Sequence, residues 1–263
     1  MLRFGTLLFA CVLAASALSG QVNSPFKLKT SIDVPLSITG GLAVGGGIYT
    51  SRLHEKKWLL TDAHIRNLDV SNVSRFDKCA INYSYNISGA RTADRLSDGF
   101  LFGSVLASLG TSLITLPAIS EQGKDRTTNL VMFLQVGALN IGVNGIVKNL
   151  VHRTRPFVYN KKAYPDSLTL RNATGRNYGD ANLSFYSGHT STTASFSFFT
   201  ADLLASQVSK QSDKIIIWSS AALIPAFTGF LRVKAGKHFP TDVIVGYVVG
   251  AGIGWGVAEL HKL

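Results

Sequence analysis

Six uncharged stretches punctuate the chain: Val34–Ser51, Gly99–Ile119, Asn129–Val147, Leu183–Ala201, Ile215–Leu231 and Val243–Ala258, the fourth interrupted only by His189. Runs of this length read as helices rather than strands. Only Gly99–Ile119 approaches the ~20 apolar residues of a membrane span, because the others are short or carry Asn, Gln, Ser and Thr. Their number, and their content of Gly and other small residues suited to close helix contact, nevertheless point to an all-α, multi-pass membrane bundle. The alternative is a soluble helical bundle with a buried core. Val34–Ser51 is the weakest span, since Gly40, Gly41, Gly45, Gly46 and Gly47 each cost about 1 kcal/mol of helix propensity.

Polar sequence fills the gaps. Residues 52–98 read as a connector with short helices, and Tyr159–Asn182, rich in Gly, Asn, Asp and Pro, as a loop between two helices. That loop is longer than an ordinary joint, which marks it as functional. Met1-Leu2-Arg3, the apolar run Gly5–Ala17 and the small residues after it have the form of a secretory signal peptide; a retained anchor is the rival reading. The expected organisation is a signal over residues 1–20, an N-terminal segment with a short span and polar connector over 21–98, and a helical bundle over 99–263.

Composition supports the membrane reading, with 46% hydrophobic and only 16% charged residues, too thin a polar surface for a typical soluble domain. The net charge of +11 is concentrated: Lys148, Arg153, Arg155, Lys161, Lys162, Arg171 and Arg176 face a single anion, Asp166, in that stretch. Such a cluster suits a phosphate-bearing ligand or an anionic membrane surface. Nucleic acid is not expected, because neither finger spacing nor a basic region running into heptads is present. Beyond the signal, Cys79 is the only cysteine, so neither an intramolecular disulfide nor a Cys-based metal site staples the fold.

Three clusters at the edges of the uncharged runs carry chemistry, where polar groups would otherwise be costly. Lys148 and Arg155 stand seven residues apart, two helical turns, which puts them on one face before Pro156 ends the helix. Taken alone, this is also what a basic helix end looks like. Ser187-Gly188-His189 opens the next helix, whose N–H groups point at an anion, with Gly188 allowing close approach and Ser187 adding a hydroxyl. Arg232, His238 and Asp242 form the third cluster. Phe239-Pro240 marks a helix start, and the four-residue spacing lets Asp242 meet His238, fix its tautomer and stabilise its cation.

In order and spacing, Lys148…Arg155-Pro156, Ser187-Gly188-His189 and Arg232…His238…Asp242 resemble the signature of the type 2 phosphatidic acid phosphatase superfamily, which includes bacterial non-specific acid phosphatases and vanadium haloperoxidases. Two positions depart from the pattern: Tyr186 stands where proline is usual, and Leu231 where a serine commonly precedes the arginine. The resemblance implies that Lys148, Arg155, Arg232, Ser187 and the Gly188 backbone bind phosphate. It further implies that His238, oriented by Asp242, attacks phosphorus, and that His189 protonates the leaving alkoxide and then activates water.

No metal or other cofactor is implied, since Lys and Arg supply the charge a divalent ion would bring. The expected substrate is a phosphorylated lipid (phosphatidic acid, phosphatidylglycerol phosphate, undecaprenyl diphosphate or lipid A), and the expected place is the bacterial inner membrane with the site facing the periplasm. A soluble periplasmic acid phosphatase and a vanadium-dependent haloperoxidase are the alternatives. A cleaved signal followed by six spans would put Lys148 on the cytoplasmic side. A periplasmic site therefore requires that Val34–Ser51 does not span, either after a cleaved signal or with the first segment retained as an extra anchor.

Overall fold

The computed structural model describes residues 25–57, 60–116, 125–174 and 180–262; the signal-peptide segment lies outside them. The chain is an all-α bundle, and the described residues contain no strand beyond an isolated bridge between Phe26 and Lys262. Its helices are α1 (Thr30–Lys57), α2 (Asp62–Asn67), α3 (Lys78–Ser84), α4 (Ile87–Gly110, continued by a π-helical turn over Thr111–Thr115), α5 (Asp125–Val151), α6 (Ser167–Thr174), α7 (Gly188–Ala205), α8 (Gln211–Lys234) and α9 (Pro240–His261). Each uncharged run lies largely within one of the six long helices, and five of these, α1, α4, α5, α8 and α9, are long and apolar enough to cross a membrane. Leu42, Leu106, Ile141, Leu223 and Val248, one from each, are exposed on the outside of the bundle, as a lipid-facing surface requires.

Helix α7 is the axle. It packs against α4, α5, α8 and α9, and most of its residues are buried. Its contact with α9 is made by glycines four residues apart. A Cβ at Gly246 would stand 2.6 Å from the Ser187 carbonyl oxygen, and at Gly250 and Gly254 still closer to those of Ser191 and Ser195. Backbone therefore lies directly against backbone, the geometry that small residues permit between membrane helices.

The same logic explains α1. Its glycines do not break the helix, because several of them form its contact with α5: a Cβ on Gly40 would lie 3.1 Å from Ala138 Cβ, and Gly47 faces Gly142 and Gly145. Packing outweighs the propensity cost here.

Alternating helix directions gather one set of ends. The C-termini of α1, α5 and α8 and the N-termini of α4, α7 and α9 meet at the end where the polar connector with α2 and α3 also folds. There Leu60, Ile65, Val158, Leu170 and Ala181 form a small core of their own. The long loop after α5 is not featureless: it contains a 3₁₀ turn (Pro156–Tyr159) and α6, whose Leu170 is fully buried in that core. At the opposite end, His261 Nε2 lies 2.9 Å from Asp33 Oδ1 and Lys29 Nζ donates to the Lys262 carbonyl at 2.7 Å, tying the start of α1 to the end of α9.

Candidate active site

Lys148 sits in the last turn of α5, which ends at Val151. His152 then takes a left-handed conformation (φ 51°), so Arg155 does not continue the helix as the two-turn spacing suggested. It instead caps the 3₁₀ turn that begins with Pro156. The two cations still converge. The guanidinium of Arg155 is buried, donating through Nε to the Asp180 carbonyl (2.7 Å), through Nη2 to the Asp180 carboxylate (2.6 Å) and through Nη1 to the Lys237 carbonyl (3.0 Å). Asp180 loses solvation by burial, which raises its carboxyl, but Arg155 and Lys148 outweigh this and hold it below the usual carboxylate range.

Ser187 caps α7, its backbone N–H donating to the Asp242 carbonyl at 3.0 Å and its hydroxyl 2.9 Å from that of Thr190. Gly188 opens the helix. A Cβ there would lie 2.8 Å from Asn144 Oδ1 and 3.3 Å from Lys148 Nζ, so glycine is what lets the lysine reach the helix N-terminus. His189 follows, with Nε2 2.7 Å from Asp98 Oδ1. Arg232, at the end of α8, is also buried; its Nη1 donates to Asp94 Oδ1 and, at 3.0 Å, to Ser97 Oγ.

His238 occupies the connector between α8 and α9 and is fully buried. Its Nδ1 lies 2.7 Å from the Ser184 carbonyl oxygen, which can only accept, so Nδ1 carries the proton and Nε2 the lone pair. Nε2 faces Arg155 Nη1 at 3.3 Å. Burial first, then the charges of Arg155, Arg232 and Lys148, depress the imidazole well below its usual value, so the ring is neutral at physiological pH.

The carboxylate of Asp242 is placed differently from the arrangement the four-residue spacing suggested. It lies 3.9 Å from His238 Nδ1, beyond hydrogen-bonding distance. Its partners are the Ser184 hydroxyl (2.6 Å), the Phe239 N–H (2.8 Å) and Arg153 Nη1. Asp242 therefore braces the segment whose carbonyl fixes the His238 tautomer. The reason is local: Asp242 is the third residue of α9 and turns back to the orphan N–H at the helix start.

Sequence reasoning counted Arg153 among the cations without a role and passed over Asp77, Asp94, Asp98, Asp180 and Ser184 as site residues. Arg153 clamps two carboxylates, Asp242 and Asp77 (2.9 Å to Nη2), while lying 4.2 Å above the Phe239 ring. Asp77 also accepts from the Thr241 N–H at 3.1 Å, so the connector is bolted to the start of α9. Asp94 lies 3.6 Å from Lys237 Nζ in addition to its bond with Arg232. A cleft beside these groups is lined by Asp94, Asp180 and Lys237 together with Arg91, Phe157 and Tyr164.

The fold is an all-α membrane bundle of span-length helices, and at one end of it three buried or half-buried cations gather with two histidines. The family model for the PAP2 superfamily matches residues 129–262, just over half of the chain, and the protein belongs to that superfamily. Membership implies phosphatase activity on phosphate esters. No curated protein and no solved structure matches the chain significantly.

Proposed function

We propose that the protein is a metal-independent phosphatase that removes phosphate from a membrane lipid through a phosphohistidine on His238. The observation that carries this reading is the state of that ring. Nδ1 is tied as a donor to the Ser184 carbonyl, leaving the Nε2 lone pair directed among Arg155, Arg232 and Lys148, the groups that would hold a phosphoryl oxygen array. A neutral imidazole with a fixed lone pair is a nucleophile ready at pH 7. Preorganised guanidinium and ammonium groups stabilise the charge that shifts within the transferring group.

In the first step the Nε2 lone pair forms a P–N bond as the P–O bond to the leaving group breaks, and His189 gives that oxygen a proton. In the second, water attacks phosphorus, His189 takes its proton, and the P–N pair returns to His238. Lys148, Arg155, Arg232, the Ser187 hydroxyl and the Gly188 N–H hold the phosphoryl oxygens throughout. No divalent ion is needed for charge; among the described residues no cluster of three or more His, Cys, Asp or Glu side chains is arranged to hold one.

The apolar outer faces of the five span-length helices support a lipid substrate presented at the bilayer edge. We place the site on the periplasmic face of a bacterial inner membrane. Because α1 has span length, that orientation requires Thr30 to lie on the cytoplasmic side.

The test uses the purified full chain in detergent micelles. Phosphate release is measured from phosphatidic acid, phosphatidylglycerol phosphate, undecaprenyl diphosphate, lipid A and a soluble aryl phosphate, with and without EDTA and orthovanadate. Lipid turnover that survives EDTA and falls with vanadate, a mimic of the five-coordinate phosphoryl group, is expected. Activity lost to EDTA and restored by magnesium contradicts the mechanism. Preference for soluble esters contradicts the substrate class, and bromide oxidation by vanadate and peroxide without phosphate release would make the protein a haloperoxidase.

A further inference from the structure

Helix α4 lies outside the matched residues 129–262, yet it contributes two carboxylates to the site, Asp94 and Asp98, four residues apart and therefore on one face. Asp94 pairs with Arg232. Asp98 meets the histidine proposed as general acid, its Oδ1 2.7 Å from His189 Nε2, although some 90 residues of chain separate the two. Both side chains are partly exposed, Asp98 by 48% and His189 by 27%, so their contact lies outside the packed core.

A carboxylate is what a general acid at this place requires. The charges around His189 are Arg232 of α8, Lys148 of α5, Arg155 before the 3₁₀ turn and Asp94 of α4, in addition to Asp98. Burial is the largest influence against a protonated imidazole here, and the three cations add to it. A histidine that must donate a proton in such surroundings gains from an adjacent negative charge that stabilises its cation. The contact also fixes the ring. With Nε2–H donating to Asp98, Nδ1 makes no hydrogen bond among the described residues and is the nitrogen left to exchange a proton with the leaving oxygen.

We infer that Asp98 is a positioning residue for His189: it accepts the Nε2 proton, orients Nδ1 toward the leaving group and favours the imidazolium against burial and the neighbouring cations. This rests on the phosphatase reading above. During the first step the proton on Nδ1 passes to the alkoxide oxygen as the P–O bond breaks, leaving a neutral His189 still donating from Nε2 to Asp98. In the second step Nδ1 takes a proton from the attacking water and the ion pair with Asp98 is restored. Asp98 itself neither gains nor loses a proton in the cycle.

The experiment compares Asp98→Asn, Asp98→Glu, His189→Ala and the Asp98→Asn/His189→Ala double variant with the wild-type full chain in micelles, by rapid quench, on phosphatidic acid and on p-nitrophenyl phosphate. Asp98→Asn should slow the first step on the alkyl ester by about 10- to 100-fold, part of the ~10²–10⁴-fold that general acids supply. It should slow the aryl ester, whose leaving group departs with little protonic help, by no more than about threefold. The alkaline limb of the alkyl rate profile should move to lower pH by about one unit or more, as loss of an adjacent opposite charge dictates.

Asp98→Glu should restore most of both effects, and in the His189→Ala background Asp98→Asn should cost nothing further. Equal losses on the two esters with an unmoved alkaline limb, or an additive loss in the double variant, would overturn the assignment. If instead the wild type releases no phosphate, or His238→Ala remains active, it is the phosphatase reading that fails. If His189→Ala discriminates between the esters and Asp98→Asn does not, Asp98 alone is wrongly assigned.

Discussion

Replacing Asp242 with asparagine separates two ways in which a carboxylate can serve a histidine. Where a carboxylate holds the tautomer directly, as in serine proteases, its amide analogue costs about 10⁴-fold because the ring flips to the wrong tautomer. Here the Ser184 carbonyl takes the Nδ1 proton at 2.7 Å, while the carboxylate stands 3.9 Å away. The tautomer should therefore survive, and only the through-space charge is lost. At 3.9 Å and an effective dielectric of about 20, a full carboxylate stabilises a unit positive charge on the ring by about 4 kcal/mol.

Arg153, paired with the same carboxylate, cancels a large part of that, leaving about 1.5–3 kcal/mol, or a 10- to 100-fold loss in the phosphorylation rate. Stability should suffer as well. An amide in place of the buried carboxylate breaks its ion pair with Arg153, which is partly exposed and keeps Asp77, a loss of about 1–3 kcal/mol, so the rate must be taken per folded molecule after a thermal melt in the same detergent. Single-turnover rates with an aryl phosphate and ¹⁵N spectra of the His238 ring are the measurements. A loss near 10⁴-fold with a flipped tautomer would refute the reasoning and return Asp242 to direct orientation of His238.

Three further expectations follow from the geometry. His238 is held neutral by burial and by Arg155, Arg232 and Lys148, so the acid limb that it imposes on kcat/KM should lie well below pH 6.5 once the substrate's own titration is subtracted. The same group makes the fold less stable as pH falls below about 6.5, because the unfolded chain then binds a proton that the buried ring refuses; a melting temperature that rose on acidification through that range would contradict this. Gly250→Ala drives a methyl into the Ser191 backbone and should destabilise the bundle by about 1–3 kcal/mol, whereas Gly252→Ala on the same helix meets nothing within 4 Å and should be neutral or slightly stabilising in a parallel melt.

The helices and the three motif clusters were legible because each rests on local pattern: uncharged runs, a Pro after the basic helix end, Ser-Gly at a helix start, Phe-Pro before another. The acidic half of the site was not, because Asp77, Asp94, Asp98 and Asp180 find their partners only across the fold. Asp94 and Asp98 were hidden further by their place in α4, which begins at Ile87, three turns before the uncharged run at Gly99. Those turns are polar because they face the reacting end, and in sequence they merge with the connector. In α1 the opposite occurred: glycines that weaken a helix in isolation mark its seam with α5, and no local scale contains that neighbour. The contact between Asp242 and Ser184 was likewise invisible, since a four-residue spacing shows which groups share a face but not which hydroxyl arrives from the loop before α7.

The most direct test of the account is to trap the intermediate. The full chain is mixed with ³²P-labelled substrate, quenched in alkali within milliseconds, digested and sequenced by mass spectrometry. The account predicts an acid-labile, alkali-stable phosphate on Nε2 of His238 that forms and decays at rates competent for turnover and is absent from His238→Ala. Turnover with no label on His238, together with inversion of configuration at phosphorus, would show direct attack by water and contradict it.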